Sequence, residues 1–174
     1  TRLSREHVKF DRRERGTIEV WEAPRAGCQY TIGADTGSGT VGNNPSAAVV
    51  YNRTTGAFVA MMHGLIDPAT FQLRLAMLGH WYFEAWICVE WANEGRSVVS
   101  WLQGGQQEGA PRYTKLSTHV SPGLNTGADR ARQGYPPNVA EQAHAYATIN
   151  ASLRARGGHD GDERTLICPI KRII

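Results

Sequence analysis

A single α/β domain, with a mixed sheet and helices on its faces, is what this sequence predicts. Three features predict it. Two strand-like runs flank a turn signal in "SAAVVYNRTTGAFVAMMHGL", residues 46–65. A helix-length pattern then begins at Asp67. After it comes "AWICVE", Ala85 to Glu90, which is β-branched and mostly apolar. A strand reached again through a helix implies a sheet that mixes parallel with antiparallel pairs. The length of 174 residues suits one such domain with a real core and is too short for two.

The elements follow in order. "RLSREHVKFDRRER" holds Arg2, Arg5, Lys9, Arg12, Arg13 and Arg15, the local source of a net charge of +3. A solvated or disordered arm is the default reading of such a run, and a phosphate-contacting arm is the alternative. We therefore set residues 1–16 apart as a basic arm and 17–174 as the domain. "GTIEVWEAP" alternates apolar and polar positions at Ile18 and Val20 and stops at Pro24, a short strand and linker. "YTIGAD", Tyr30 to Asp35, is strand-like, and "NRTTG" makes the next two runs a hairpin. Asp67 is an N-cap candidate and Pro68 suits the first helical position. Phe71, Leu73, Leu75, Leu78 and Trp81 supply the apolar face, with Gly79 weakening the end. "AWICVE" reads as a strand buried on both faces, with Cys88 a small core residue. "NEGRSVVSWLQ" opens a second helix with Val98, Val99 and Leu102 inward.

The second half is thinner in aliphatic side chains. Residues 104–138 read as loop-rich, because "VSPGLNTGADRARQGYPPN" is dense in Pro, Gly and Arg. "VAEQAHAYATINASLRARGG" reads as one Ala-rich helix stopped by Gly157, and "TLICPIKRII" as an edge strand marked by Pro169.

Composition narrows the setting. Cys28, Cys88 and Cys168 are odd in number, far apart and without metal spacing, which points to a reducing, cytoplasmic compartment. No apolar run reaches the roughly 18 residues of a membrane span, and no signal peptide precedes the fold. The first residue is Thr rather than Met, which reads as a fragment or processed product. His7, His63, His80, His119, His144 and His159 form no metal-ligand spacing. His80, in "HWYF", reads as a packing residue in an aromatic seam. Arg112, Lys115, Arg130, Arg132, Arg154 and Arg156 could touch DNA phosphates, although solvated surface is the default for each.

The chemistry concentrates on "YTIGADTGSGTVGNN", where a strand ends on Asp35 and turns Gly-rich. Asp-Thr-Gly-Ser occurs in aspartic proteases, which need a second aspartate. No second Asp-Thr-Gly exists here, and the helical segments argue against an all-β subunit. Asp-x-Gly-Ser-Gly also forms phosphate loops in actin-like ATPases, but one copy leaves half a nucleotide cleft, and no GxxxxGK[ST] motif is present. Asp-x-Gly at a first strand's end is also the first metal carboxylate of RNase H-like nucleases. Glu90 favours this third reading. It closes a second apolar strand, and buried carboxylates need a partner or a metal. Two acids at strand ends can hold hard divalent cations, Mg²⁺ or Mn²⁺, for two-metal phosphodiester hydrolysis.

The order "VWEAP…YTIGADTGSG…NNPSAAVVYNRTTGAFVAMMHGLIDPATFQLRLAMLGHWYFEAWICVEWANEGRSVVSWLQ" resembles the C-terminal nuclease domain of phage large terminase subunits, from about Val20 to Gln103. The resemblance implies an RNase H-like fold and a metal-dependent endonuclease that cuts concatemeric double-stranded DNA during packaging. It implies Asp35 and Glu90 as metal-binding catalytic acids. It matches Asn93 and Gly95 to a Glu-x-x-Asn-x-Gly pattern, in which Asn93 can cap the next helix and Gly95 lets backbone pass near the site. The implied partners are a terminase ATPase domain, a small terminase subunit and the portal.

Two segments depart from the family. "NNPS" puts Asn44 near the place of a second-strand acid. "GGHDGDERTL" matches a His-Asp-Asp segment with His159 and Asp160, but Gly161 separates Asp162 from the pair. Asp160, or Asp162, is the expected third catalytic and metal-binding acid. The same segment also aligns upstream of a third acid that this chain then lacks. The alternatives are accordingly a non-catalytic truncated remnant or DNA-binding fragment, and a resolvase- or transposase-like nuclease of the same fold.

Overall fold

The computed structural model describes residues 4–11, 16–104, 112–121 and 130–135. The chain order is a 3-10 turn (Arg5–His7), then β1 (Ile18–Val20), β2 (Tyr30–Asp35), β3 (Ser46–Asn52) and β4 (Ala57–Gly64). There follow α1 (Pro68–Trp81), β5 (Trp86–Val89), α2 (Glu94–Leu102), β6 (Thr118–Ser121) and β7 (Arg130–Gln133). The Ala-rich helix expected over 139–157 and the strand expected from Thr165 lie outside the described residues.

The main sheet has the order β1-β4-β3-β2-β5. β1 to β4 pair antiparallel, and β5 lies parallel to β2. This is the mixed sheet that the sequence predicts, in an RNase H-like arrangement. The alternation in β2 and β3 sets the core face: Tyr30, Ile32, Ala34, Ala48 and Val50 are buried. A register shift at Val50/Tyr51 lets neighbouring Val59 and Ala60 of β4 both be buried. The β3–β4 turn is held by Asn52, whose Oδ1 accepts from the amides of Thr54 at 3.0 Å and Thr55 at 3.3 Å.

α1 starts as its sequence dictates. Asp67 Oδ1 accepts from the Thr70 amide at 3.0 Å, Pro68 follows at the first turn, and these bonds hold the Asp67 carboxyl below the usual range. Phe71, Leu75, Ala76 and Leu78 face the core, but Leu73 is exposed. Two residues along a helix turn a side chain about 200° away, so Leu73 cannot share the face of Phe71.

Three further expectations change. β5 is not buried on both faces, because Trp86 is 45% exposed and Cys88 only half-buried. Its free edge is closed instead by irregular chain: Ile87 donates to the Lys115 carbonyl at 2.9 Å, and Ser117 donates to the Ile87 carbonyl at 2.8 Å. Within the stretch expected to be loop-rich, β6 and β7 form an antiparallel pair, Thr118 opposite Gln133 and Ser121 opposite Arg130. Ladder bonds come from the backbone, so this pair forms with little aliphatic content. The basic segment also differs over the residues described. Val8 is buried, Phe10 meets the Trp81 ring edge-on, and Arg5 donates to the Trp81 carbonyl at 3.1 Å while lying over Phe83.

The aromatic seam is present: Trp81 packs on Tyr82, and Tyr82 on Tyr30. His80 is a packing residue, buried with Nδ1 2.6 Å from Glu84 Oε1 and its ring edge-on to Tyr113. Gly79 makes room for that arrangement. A Cβ on Gly79 would lie 2.5 Å from the Tyr113 hydroxyl, which donates to the Ala85 carbonyl. Gly79→Ala should therefore destabilise the domain by about 1–3 kcal/mol, as overpacked cores do. A urea unfolding midpoint equal to that of the native chain would show that Tyr113 does not need the gap.

Candidate active site

Asp35 and Glu90 stand side by side because β2 and β5 are parallel neighbours in register. Ala34 pairs with Val89, and the next residue on each strand is an acid. The Glu90 amide donates to the Ala34 carbonyl at 2.8 Å, which carries the pairing one residue beyond the β5 strand itself. The pairing sets the two acids beside each other at the ends of adjacent strands. Burial first, and then the charge and hydrogen bond of Asp35, push the Glu90 carboxyl above the usual carboxylate range.

Glu90 is braced from its other side too. It bridges to Tyr135, whose amide donates to the Val89 carbonyl at 2.8 Å and whose carbonyl accepts from Trp91 at 2.6 Å. Gly134, at φ +91°, allows this approach. A side chain there would meet the Val89 carbonyl at 2.8 Å. Neither Tyr135 nor Gly134 stood out in the sequence. "GYPP" signals only a turn there, and parallel bridging leaves no mark on composition.

The loop after Asp35 is pinned rather than open. Buried Ser46 Oγ accepts from the Gly37 amide at 3.1 Å and donates to the Ile66 carbonyl at 3.0 Å. A Cβ on Gly37 would fall 2.0 Å from the Asn44 carbonyl, and one on Gly39 would fall 2.5 Å from the Asp67 backbone. These glycines thus allow backbone to press on backbone. The Gly37 amide is already engaged by Ser46, which weakens the phosphate-loop reading of the motif. The signal for Ser46 was available: it is a polar residue at an inward position of an alternating strand. Asn44 is exposed, with its carbonyl against Gly37.

Gly95 behaves as expected, since a Cβ on it would lie 2.0 Å from the Glu90 carbonyl. Asn93 does not cap α2 with its side chain. Its backbone sits at φ +43°, ψ −119°, a left-handed turn conformation strained for a residue with a Cβ. That geometry lies where the chain turns from β5 into α2, three residues after Glu90.

Among the described residues, no group of three or more His, Cys, Asp or Glu side chains is placed to hold a metal. Asp160 and Asp162 lie outside the described residues, so the acids brought together are Asp35 and Glu90. Their donors are all oxygen, as a hard divalent cation requires. Thr36 Oγ1, on the residue after Asp35, is buried without a hydrogen-bond partner. A carboxyl group whose proton affinity is raised by burial and by a neighbouring carboxylate, as that of Glu90 is, is one that a divalent cation would stabilise in its charged form. The residues present fit such an ion. Among the described residues, no helix is long and apolar enough to cross a membrane.

No protein-family model and no curated protein sequence matches the chain. Solved structures do. The large terminase nuclease from thermophilic phage G20c is similar at a TM-score of 0.58 and 20% identity, over 95% of this chain and 71% of that one. Its form with bound magnesium is similar at a TM-score of 0.60 and 20% identity, over 95% of this chain and 70% of that one. The large terminase nuclease domain of Thermus phage P74-26 is similar at 0.54 and 18% identity, covering 96% and 72%. The G20c nuclease has also been solved with zinc and with cobalt. This chain therefore has the fold of the large terminase nuclease domains of phages.

Proposed function

We propose that this chain is a metal-dependent endonuclease domain of a terminase large subunit, which cuts concatemeric double-stranded DNA during genome packaging. One observation carries the reading: Asp35 and Glu90 meet at the ends of adjacent parallel strands, on a fold shared with terminase nucleases. The magnesium, zinc and cobalt forms of the G20c nuclease support a divalent ion here, Mg²⁺ or Mn²⁺. A terminase ATPase domain, a small terminase subunit and the portal are the partners this reading implies.

Asp35 and Glu90 would hold the metal pair, with Asp160 or Asp162 as the third carboxylate. When bound, such ions supply hydroxide and stabilise the leaving oxygen of an in-line phosphodiester displacement. The protein's own contribution is placement. The Ala34 carbonyl and the bridge to Tyr135 hold Glu90 from both sides. Ser46 and the close-packed Gly37 and Gly39 fix the path of the chain leaving Asp35. Neither acid then needs to reorganise as charge develops on the phosphate.

Plasmid cleavage with Mg²⁺ or Mn²⁺ tests the reading. Asp35→Asn and Glu90→Gln should each lower cleavage on the order of 100-fold or more, and one of Asp160→Asn and Asp162→Asn should do the same. Equal cleavage by the native chain, Asp35→Asn and Glu90→Gln would sink it.

A second expectation needs no cleavage. The folded-state pKa of Glu90 lies above its unfolded value of about 4.3. Its contribution to stability is therefore present below about pH 4.3 and lost as pH rises through the folded value. With metal chelated, Glu90→Gln should melt above the native chain at about pH 7.5, and the gap should close towards about pH 4. Mn²⁺ should raise the melting temperature of the native chain more than that of the variant. A gap that does not change with pH would contradict the carboxylate pairing.

A further inference from the structure

Glu90 is followed by a second group that the two acids do not account for. Trp91 carries the guanidinium of Arg96 on its face, with Cζ 4.7 Å from the ring centroid. The ring is itself wedged in place. Its Cβ and Cδ1 lie 3.3 Å from where a side chain on Gly134 would begin, and its amide donates to the Tyr135 carbonyl. The start of α2 is tied to the same spot. The Gly95 amide donates to Ala92, and the Gly95 Cα presses on the Glu90 carbonyl. Arg96 is thus an exposed cation on a rigid aromatic plate, one residue along the chain from Glu90.

Its charge has no partner in the protein among the described residues. Arg25, by contrast, pairs with Glu22 at 3.3 Å. Glu94, two positions away on the helix, does not share a face with Arg96. A stacked guanidinium keeps its fork of donors free while losing side-chain freedom before any ligand arrives. The nearby acids create a need for such a group. Two carboxylates repel a phosphodiester, and a fixed cation carried by the residue next to Glu90 would offset that repulsion and match a phosphate in bidentate fashion.

Resting on the nuclease reading, we propose that Arg96 is a phosphate-binding residue for the DNA strand that enters the Asp35–Glu90 site, and that Trp91 is the positioning residue that holds it. The contact reads the backbone and carries no base specificity.

Binding of a labelled duplex of about 20 base pairs to the full chain, in EDTA and across a salt series, tests this apart from catalysis. Arg96→Ala should weaken binding and make the slope of log affinity against log salt shallower by about 0.9, the loss of one phosphate contact. Trp91→Leu should weaken binding about threefold and leave the slope unchanged, since the charge remains. Arg53→Ala is the control, because Arg53 lies on the β3–β4 turn at the opposite end of the sheet from Asp35, and it should match the native slope. Melting curves identify any variant that fails to fold, and Arg96→Gln then replaces Arg96→Ala. An unchanged slope in the Arg96 variants, an equal loss in Arg53→Ala, or no duplex binding by the native chain would overturn the proposal. A changed slope with no cleavage by the native chain would leave the phosphate contact standing and remove the nuclease reading. Cleavage with an unchanged slope would do the reverse.

Discussion

The parallel pairing of β5 against β2 is the constraint from which the site follows. β5 is only four residues long, yet it is hydrogen-bonded on both edges, to β2 on one side and to residues 115–117 and 135 on the other. A strand so short gains its position from those neighbours more than from its own side chains. α1 returns the chain across the sheet, which is what a parallel neighbour requires. Moving β5 by one residue relative to β2 would turn its side chains over and carry Glu90 away from Asp35.

Close backbone approach is the second theme, and it explains why glycines gather around the acids. Gly37, Gly39, Gly95 and Gly134 each stand where a Cβ would collide with main chain. They let the Asp35 loop, the start of α2 and the end of the β6–β7 pair converge on one sheet end. Asn93 shows the strain that this convergence imposes, with a left-handed backbone at a residue that carries a Cβ. A buried serine, Ser46, then locks the loop with two hydrogen bonds that polar backbone at this depth needs.

Charge is arranged along the same edge. The acids are neighbours on adjacent strands, and Arg96 rests on Trp91, the residue after Glu90, whose ring also packs against Gly134. Helix, hairpin base and sheet therefore share one aromatic contact, which couples the placement of a cation to the placement of the acids. The opposite end of the sheet carries a different kind of network. Tyr82 donates to the Glu22 carbonyl and packs on Tyr30, and burial raises both hydroxyls above the usual phenol range. Nothing there resembles the paired carboxylates, and its role is packing.

Much of this was legible in the residues. Alternation showed β1, the strand-like run "YTIGAD" showed β2, and the runs around the "NRTTG" turn signal showed β3 and β4; the Asp67-Pro68 pair marked the start of α1, and the apolar run before Glu90 marked β5. Asp35 and Glu90 stood out because each closes an apolar strand. Leu73, Trp86 and the β6–β7 pair did not follow from pattern, since helical phase, edge coverage and backbone ladders depend on what lies alongside. The sequence by itself determined where β1 to β5 and the two helices lie and which acids follow or end the strands, because period, turn signals and capping are local properties. Only the tertiary structure decided that the two acids meet, that Gly37 and Gly39 press on backbone rather than cradle phosphate, and that Arg96 rests on Trp91. Those outcomes depend on strand order and on distances between residues far apart in the chain, which no local pattern encodes.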